Sequence, residues 1–330
     1  MNRKRLGVLL GDSAGVGPEI IAKVAVSGKL AKSCVPIIIG DAREFEDGLS
    51  IIGVDCPHYK LKELSELDES RGIAVFDTAD QDPKQVERGR ASAYCGAGDI
   101  HMVKSACQLL KTGKIAGFIY GPLHKGAMKE AGMTAASETE LMAQELGYHK
   151  PVGEINMLGD LMTVRVTSHI PLKDVSAALS VENILETIEL ARDTDMQFGV
   201  NEPRIAVAGL NPHNGENGIC GKEEIEIIIP AVEKAKAKGW NVTGPIPGDI
   251  VFMRALKGEF DCVVTMYHDQ GQIALKTVGF DQGVTICGGL PYPVTTGAHG
   301  TAFGRAGQGR ASTSAFENAL HVLCRMAQDR

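Results

Sequence analysis

The sequence predicts an α/β protein of two lobes, in a two-lobed α/β/α arrangement with mostly parallel sheets. Short β-branched runs alternate with longer helical patterns from end to end: Leu6–Leu10, Val35–Ile39, Ile73–Phe76, Ile115–Tyr120, Thr163–Thr167, Arg204–Leu210 and Cys262–Met266. Parallel neighbours need such crossovers. The chain has 330 residues and is 44% hydrophobic, enough for one large core or two ordinary ones.

Each element has its own warrant. Between Ser92 and Gly113, apolar residues fall at Ile100, Val103, Cys107 and Leu110, and the run stops at a glycine. Val181–Phe198 and Glu223–Lys238 read the same way, the second ending at Gly239. The least regular stretches, Thr134–Glu138 and Gly288–Gly300, are the candidate crossings between lobes. They place residues 1–135 with 292–330 in one lobe and 136–291 in the other.

Composition removes several function classes. The formal net charge is -7, so a general nucleic-acid binder is disfavoured. No apolar run approaches the roughly 20 residues that span a bilayer, and the apolar stretch behind the basic Met1–Arg5 ends at Gly11-Asp12, too soon for a signal peptide. A cytoplasmic protein without membrane partners is expected. The eight cysteines include no C-x-x-C pair, which points to reduced thiols and excludes a zinc ribbon.

Three strand patterns end at a histidine: Thr163–Ser168 runs into His169, Ile205–Pro212 into His213, and Cys262–Tyr267 into His268-Asp269. Ligands of open α/β sheets sit beyond the carboxyl ends of strands, so these imidazoles are candidates to converge. Three neutral imidazoles leave a divalent ion open positions for substrate oxygens, although a single histidine at such a place is more often a hydrogen-bonded loop residue than a ligand. Asp249 and Asp269 are candidate bases or imidazole partners, with a cap or turn as the competing reading.

The segment Gly11-Asp12-Ser13-Ala14-Gly15-Val16-Gly17-Pro18-Glu19 follows a strand and opens a helix, but Ile20 stands where a dinucleotide fingerprint needs its third glycine. A tight turn and an anion site both remain open. Clustered small residues at Gly297–Ala302 and Ala306–Gly309 would let a flat ligand lie close to the backbone.

Seven ordered motifs, GDSAGVGPEI (11–20), GPLHKG (121–126), TSHIPL (167–172), GLNPHNGENG (209–218), GPIPGDIVF (244–252), MYHDQG (266–271) and HGTA (299–302), resemble the 4-hydroxythreonine-4-phosphate dehydrogenase family of pyridoxal phosphate synthesis. The resemblance implies an isocitrate/isopropylmalate dehydrogenase-like fold, with the active site in the interlobe cleft of a homodimer whose subunits share each site. It implies His169, His213 and His268 as ligands of one divalent ion (Zn, Mg, Mn or Co). It also implies Lys276 as a substrate lysine and His299, Gly300, Thr301 and Ala302 as the turn against NAD or NADP. Three substrate positions depart from the family. Ser137-Glu138-Thr139-Glu140 stands for Gly-His-Thr-Glu, so Thr139 survives and Glu138 replaces a histidine; Thr285 and Val294 stand for Asn and Arg. Valine cannot replace the bidentate fork that arginine offers a phosphate.

The expected activity is a metal-dependent, NAD(P)-linked oxidation of a secondary alcohol in a 3-hydroxy acid, with Asp249, Asp269 or Lys276 taking the proton and loss of carbon dioxide following where the product is a 3-keto acid. The substrate departures favour an unphosphorylated or differently phosphorylated four-carbon sugar acid, or a carboxylated cis-dihydrodiol. From other classes, a three-histidine metallohydrolase or a non-catalytic metal-binding homologue would use the same imidazoles.

Overall fold

The computed structural model describes residues 3–279 and 283–328; the first two residues of the basic N-terminal stretch lie outside it. The chain divides into two compact units, residues 3–150 with 290–328 and residues 151–289.

In the first unit, β1 (Arg5–Leu9), α1 (Gly17–Val26), α2 (Lys29–Ser33), β2 (Val35–Gly40), α3 (Ala42–Ile52), β3 (His58–Leu61), β4 (Ile73–Asp77), α4 (Ala93–Lys111), β5 (Gly117–Tyr120), α5 (Lys125–Glu130) and α6 (Glu138–Leu146) follow in order. The second unit holds β6 (Gly153–Leu158), β7 (Leu161–Arg165), α7 (Val175–Ala178), α8 (Val181–Gln197), β8 (Ile205–Ala208), α9 (Ile229–Ala237), β9 (Val242–Ile246), α10 (Gly248–Ala255), β10 (Cys262–Thr265), α11 (His268–Gly279) and β11 (Val284–Gly288). The chain then returns to the first unit with β12 (Val294–Gly297) and α12 (Ser314–Gln328).

The strands of the first unit lie in the order β3-β4-β2-β1-β5-β12, all parallel. Val8, Leu9, Ile37, Ile38 and Ile39 are all fully buried, which is why these strands read as continuous apolar runs rather than alternating ones. The order reverses between β1 and β5, so the loops after those two strands flank a topological switch point.

The second unit has the order β11-β6-β7-β10-β8-β9. Its β7, β10, β8 and β9 are parallel, while β6 runs antiparallel to both β7 and β11. The β6–β7 connection is two residues, Gly159-Asp160, with Gly159 at φ 60°, a hairpin turn that needs a positive φ. Its core joins Ala206, Val263 and Ile246 with Val251 and Phe252 of α10 and Leu275 of α11.

All seven expected strand runs and three expected helical stretches are present, the third split into a π-helical turn at Glu224–Ile228 and α9. The first crossing falls after Lys150 rather than within 134–138, because α6 packs on α4. The second falls at Gly289–Leu290. Glu138 and Thr139 therefore belong to the first unit.

Candidate active site

The three expected metal ligands follow three adjacent parallel strands of the second unit, β7, β10 and β8. Arg165 is level with Thr265, and Val264 with Val207, so His169, His268 and His213 leave the sheet at its carboxyl edge. His169 and His268 come together, with ring centroids 5.3 Å apart. Thr167 ties the strand ends: its N–H and Oγ1 both donate to the Met266 carbonyl, at 3.2 and 2.8 Å. His213 is exposed, at the start of a run of left-handed residues reaching Asn217. Among the described residues, no three His, Cys, Asp or Glu side chains form a ready-made metal cluster. The structure thus gathers two of the expected ligands and leaves the third on the neighbouring strand end.

The donor set suits a divalent ion in type. Each imidazole has its Nδ1 beside an oxygen: Ser168 Oγ at 3.3 Å from His169, Glu216 Oε1 at 3.2 Å from His213 and Asp269 Oδ1 at 2.7 Å from His268. Such partners fix ring orientation in metal-ligating histidines. A cavity of about 230 Å³ is lined by His169, Tyr267, His268 and Asp269, with Ile170, Leu172 and Val175 as its apolar wall.

The carboxylates and the lysine differ in how they are held. Asp269 is engaged by His268, while Asp249 is exposed in the first turn of α10, where a carboxylate also complements the helix dipole. His268, Gln272 and Lys276 recur at four-residue steps along one face of α11, and Lys276 is exposed. Thr285 Oγ1 accepts a hydrogen bond from Asn156 Nδ2 at 3.2 Å.

In the first unit the glycine-rich segment and the His299–Ala302 turn are brought together at the switch point. Val16 N–H donates to Thr301 O at 3.0 Å. A Cβ on Gly15 would lie 2.9 Å from the same oxygen, so this close approach requires glycine. His299 Nδ1 lies 3.1 Å from Gly300 O, and Ala302 takes φ 48°. The next residue, Phe303, stacks on His124, with centroids 5.1 Å apart and rings 7° from parallel.

His124 Nδ1 accepts the Ala127 N–H at 3.0 Å, which leaves the ring proton of the neutral imidazole on Nε2. Asp99, fully buried, accepts the His124 N–H at 3.2 Å. Burial holds the Asp99 carboxyl well above its usual range, and the charges of Asp12 and Glu138 add to this. Burial likewise raises Asp12, against the Ala14 N–H that Asp12 Oδ1 accepts at 2.8 Å and the nearby His124. Asp12, Asp99 and His124 belong to no expected set of site residues, although GDSAG and GPLHKG contain two of them.

The remaining substrate candidates also lie in the first unit. Glu138 Oε2 is 3.7 Å from Lys125 Nζ, and Thr139 is buried. Val294 opens β12 beside Phe118 with 0% exposure. Its place is the core, which corrects its expected role as a substrate contact: a side chain sealed in the sheet cannot touch a ligand.

Two mainly parallel α/β units, each with candidate site residues at the carboxyl edge of its sheet, define a two-unit α/β protein, and its named relatives are oxidoreductases of the dehydrogenase type. Residues 32–323 match the family model of the pyridoxal phosphate biosynthetic protein PdxA. The chain is 42% identical over 330 residues to a Pseudomonas aeruginosa protein provisionally named 4-hydroxythreonine-4-phosphate dehydrogenase 2, covering 99% of this chain and 98% of that one. It is 37% identical over 324 residues to an Oceanobacillus iheyensis protein provisionally named D-threonate 4-phosphate dehydrogenase, covering 98% and 97%. The crystal structure of 4-hydroxythreonine-4-phosphate dehydrogenase from Klebsiella pneumoniae superposes with a TM-score of 0.88 at 35% identity, covering 99% and 98%. The chain belongs to the PdxA family.

Proposed function

We propose that this protein is a cytoplasmic, divalent-metal-dependent, NAD(P)-linked dehydrogenase that oxidises a secondary alcohol of a 3-hydroxy acid. The observation that carries the proposal is the juxtaposition of His169 and His268 at adjacent strand ends, with His213 following the next strand, in a chain of this family.

A bound divalent ion would lower the pKa of the substrate hydroxyl and polarise a neighbouring carbonyl, and a bound nicotinamide would accept hydride. The chain's own groups do the rest. His169, His213 and His268 would hold the ion, and Asp269 orients the His268 ring. Lys276, one helix face along from His268, would bind the acid and, with Asp249, is the candidate proton acceptor. The turn of His299, Gly300, Thr301 and Ala302, locked to the glycine-rich loop, would receive the cofactor.

The substrate proposed here is the free hydroxy acid rather than its phosphate ester, although the named relatives carry phosphate in their substrates. Glu138 brings a negative charge close to Asp99, and the neighbouring cation Lys125 is already paired with Glu138. A homodimer with shared sites is proposed as well. Exposed Met253 on α10, Leu256 directly after it and Ile273 on α11 are apolar surface that a second copy would bury.

The test is a screen of NAD and NADP with Zn, Mg, Mn and Co against hydroxy acids, phosphorylated and free. Absorbance at 340 nm rises only if a dehydrogenase is turning over; hydrolysis without that change supports a metallohydrolase instead.

A further inference from the structure

Arg165 ends β7 with its side chain only 9% exposed. A guanidinium keeps its charge and must be paired where it is buried. Its planar fork points three ways: Nε donates to Ser168 Oγ at 3.0 Å, Nη1 to Asn156 Oδ1 at 2.7 Å and Nη2 to Glu154 Oε2 at 2.7 Å.

Two of these arms lead to the histidine pair. Ser168 Oγ is the atom beside His169 Nδ1, and His169 itself sits at φ 54°, a left-handed backbone that its surroundings must impose. Asn156 Oδ1 also accepts from Gln272 Nε2 at 2.5 Å, and Asn156 Nδ2 donates to Thr285. Gln272 lies one turn after His268 and one turn before Lys276 on α11, so the amide that anchors this helix to the sheet is itself fixed by the guanidinium.

The geometry points to Arg165 as a positioning residue: one guanidinium holds His169 through Ser168, and through Asn156 it holds the helix carrying His268 and Lys276. This rests on the metal reading given above. A lysine at the same place keeps the charge but offers no rigid fork, so it cannot serve both arms. If Arg165 were merely the ion-pair partner of Glu154, its replacement would change stability and leave metal binding alone.

The experiment titrates the metal-free full-length protein with Co²⁺, following affinity by calorimetry and the coordination geometry by the visible absorption of bound Co²⁺. Variants are Arg165→Met, Arg165→Lys, Ser168→Ala and, as a control in the same unit, Arg204→Met, which removes the Arg204–Asp261 pair. Loss of a group that orients a ligating histidine weakens metal binding by about 10- to 100-fold, and both Arg165 variants should show a loss of that size with an altered spectrum. Adding Ser168→Ala to Arg165→Met should cost less than the two single losses combined, because both act on His169. Arg204→Met should bind as wild type. Affinity within twofold of wild type and an unchanged spectrum in the Arg165 variants overturn the assignment, whatever happens to their melting temperature. If Arg165→Met fails to fold, Arg165→Lys decides alone. A wild type that takes up no Co²⁺ overturns the metal reading and this assignment with it; a wild type that binds alongside unaffected variants overturns the assignment only.

Discussion

Replacing Asp195 by Asn removes a buried charge whose cost can be worked out. Asp195 is 2% exposed on α8, and among the described residues its Oδ2 has no hydrogen-bond partner. Burial, aided by the negative charge of Asp261, pushes its carboxyl up from 3.8 to about 7. At about 1.4 kcal/mol per pKa unit, keeping this group charged inside the fold costs on the order of 4 kcal/mol above pH 7. The folded protein binds this proton more tightly than the unfolded chain. The group's contribution to stability is therefore complete below about pH 4 and is lost as pH rises toward 7. Asn is neutral throughout, so Asp195→Asn should gain on wild type steadily across that window, by a few kcal/mol at pH 8. Cys262, which also feels the Asp195 charge, opens β10, whereas His268 follows the far end of that strand; metal binding should not change. Urea unfolding at pH 5 and at pH 8 measures the gain. An equal difference between variant and wild type at the two pH values would refute the reasoning.

Further expectations concern the site. His169→Ala and His268→Ala should each lose bound Co²⁺ and turnover with melting temperature nearly unchanged, as elemental analysis and calorimetry will show; His213→Ala should do the same if the third strand end closes the set. Glu138→His should shift the ratio of kcat/KM for phosphorylated over free acid upward by about tenfold, equivalent to ~1.4 kcal/mol, in steady-state assays of both substrates. Gly15→Ala puts a Cβ 2.9 Å from Thr301 O, so KM for the nicotinamide nucleotide should rise several-fold while kcat changes less.

Period and composition made the strands legible wherever they are buried on both faces, as Val35–Gly40 and Cys262–Thr265 are. The elements not expected are of another kind. Residues Gly153–Leu158 mix Glu154 and Asn156 into a strand because its polar face carries the Arg165 network, and β9 contains Gly244 and Pro245, residues that weaken a strand pattern. The approach of His169 to His268 was legible because chemistry-bearing residues stood at equivalent strand ends, whereas His213, expected to converge with them, is not gathered into that pair. Arg165 was not, since a lone charge closing an apolar run reads as a strand reaching solvent; only the fold shows it buried with three partners. Val294 misled in the opposite sense, since position in a motif cannot tell which face of β12 a side chain takes. Asp99 lies within a helical pattern, where a buried carboxylate and a solvated one look the same in sequence.

The most direct test of the central claim is the rate of absorbance change at 340 nm for the metal-stripped protein with NAD or NADP and the hydroxy-acid panel, before and after a divalent ion is restored. A metal-dependent dehydrogenase gives no rate when stripped and a restored rate on adding the ion, with that recovery absent in His169→Ala and His268→Ala. Turnover that persists without metal, or an acid consumed with no change at 340 nm, would contradict it.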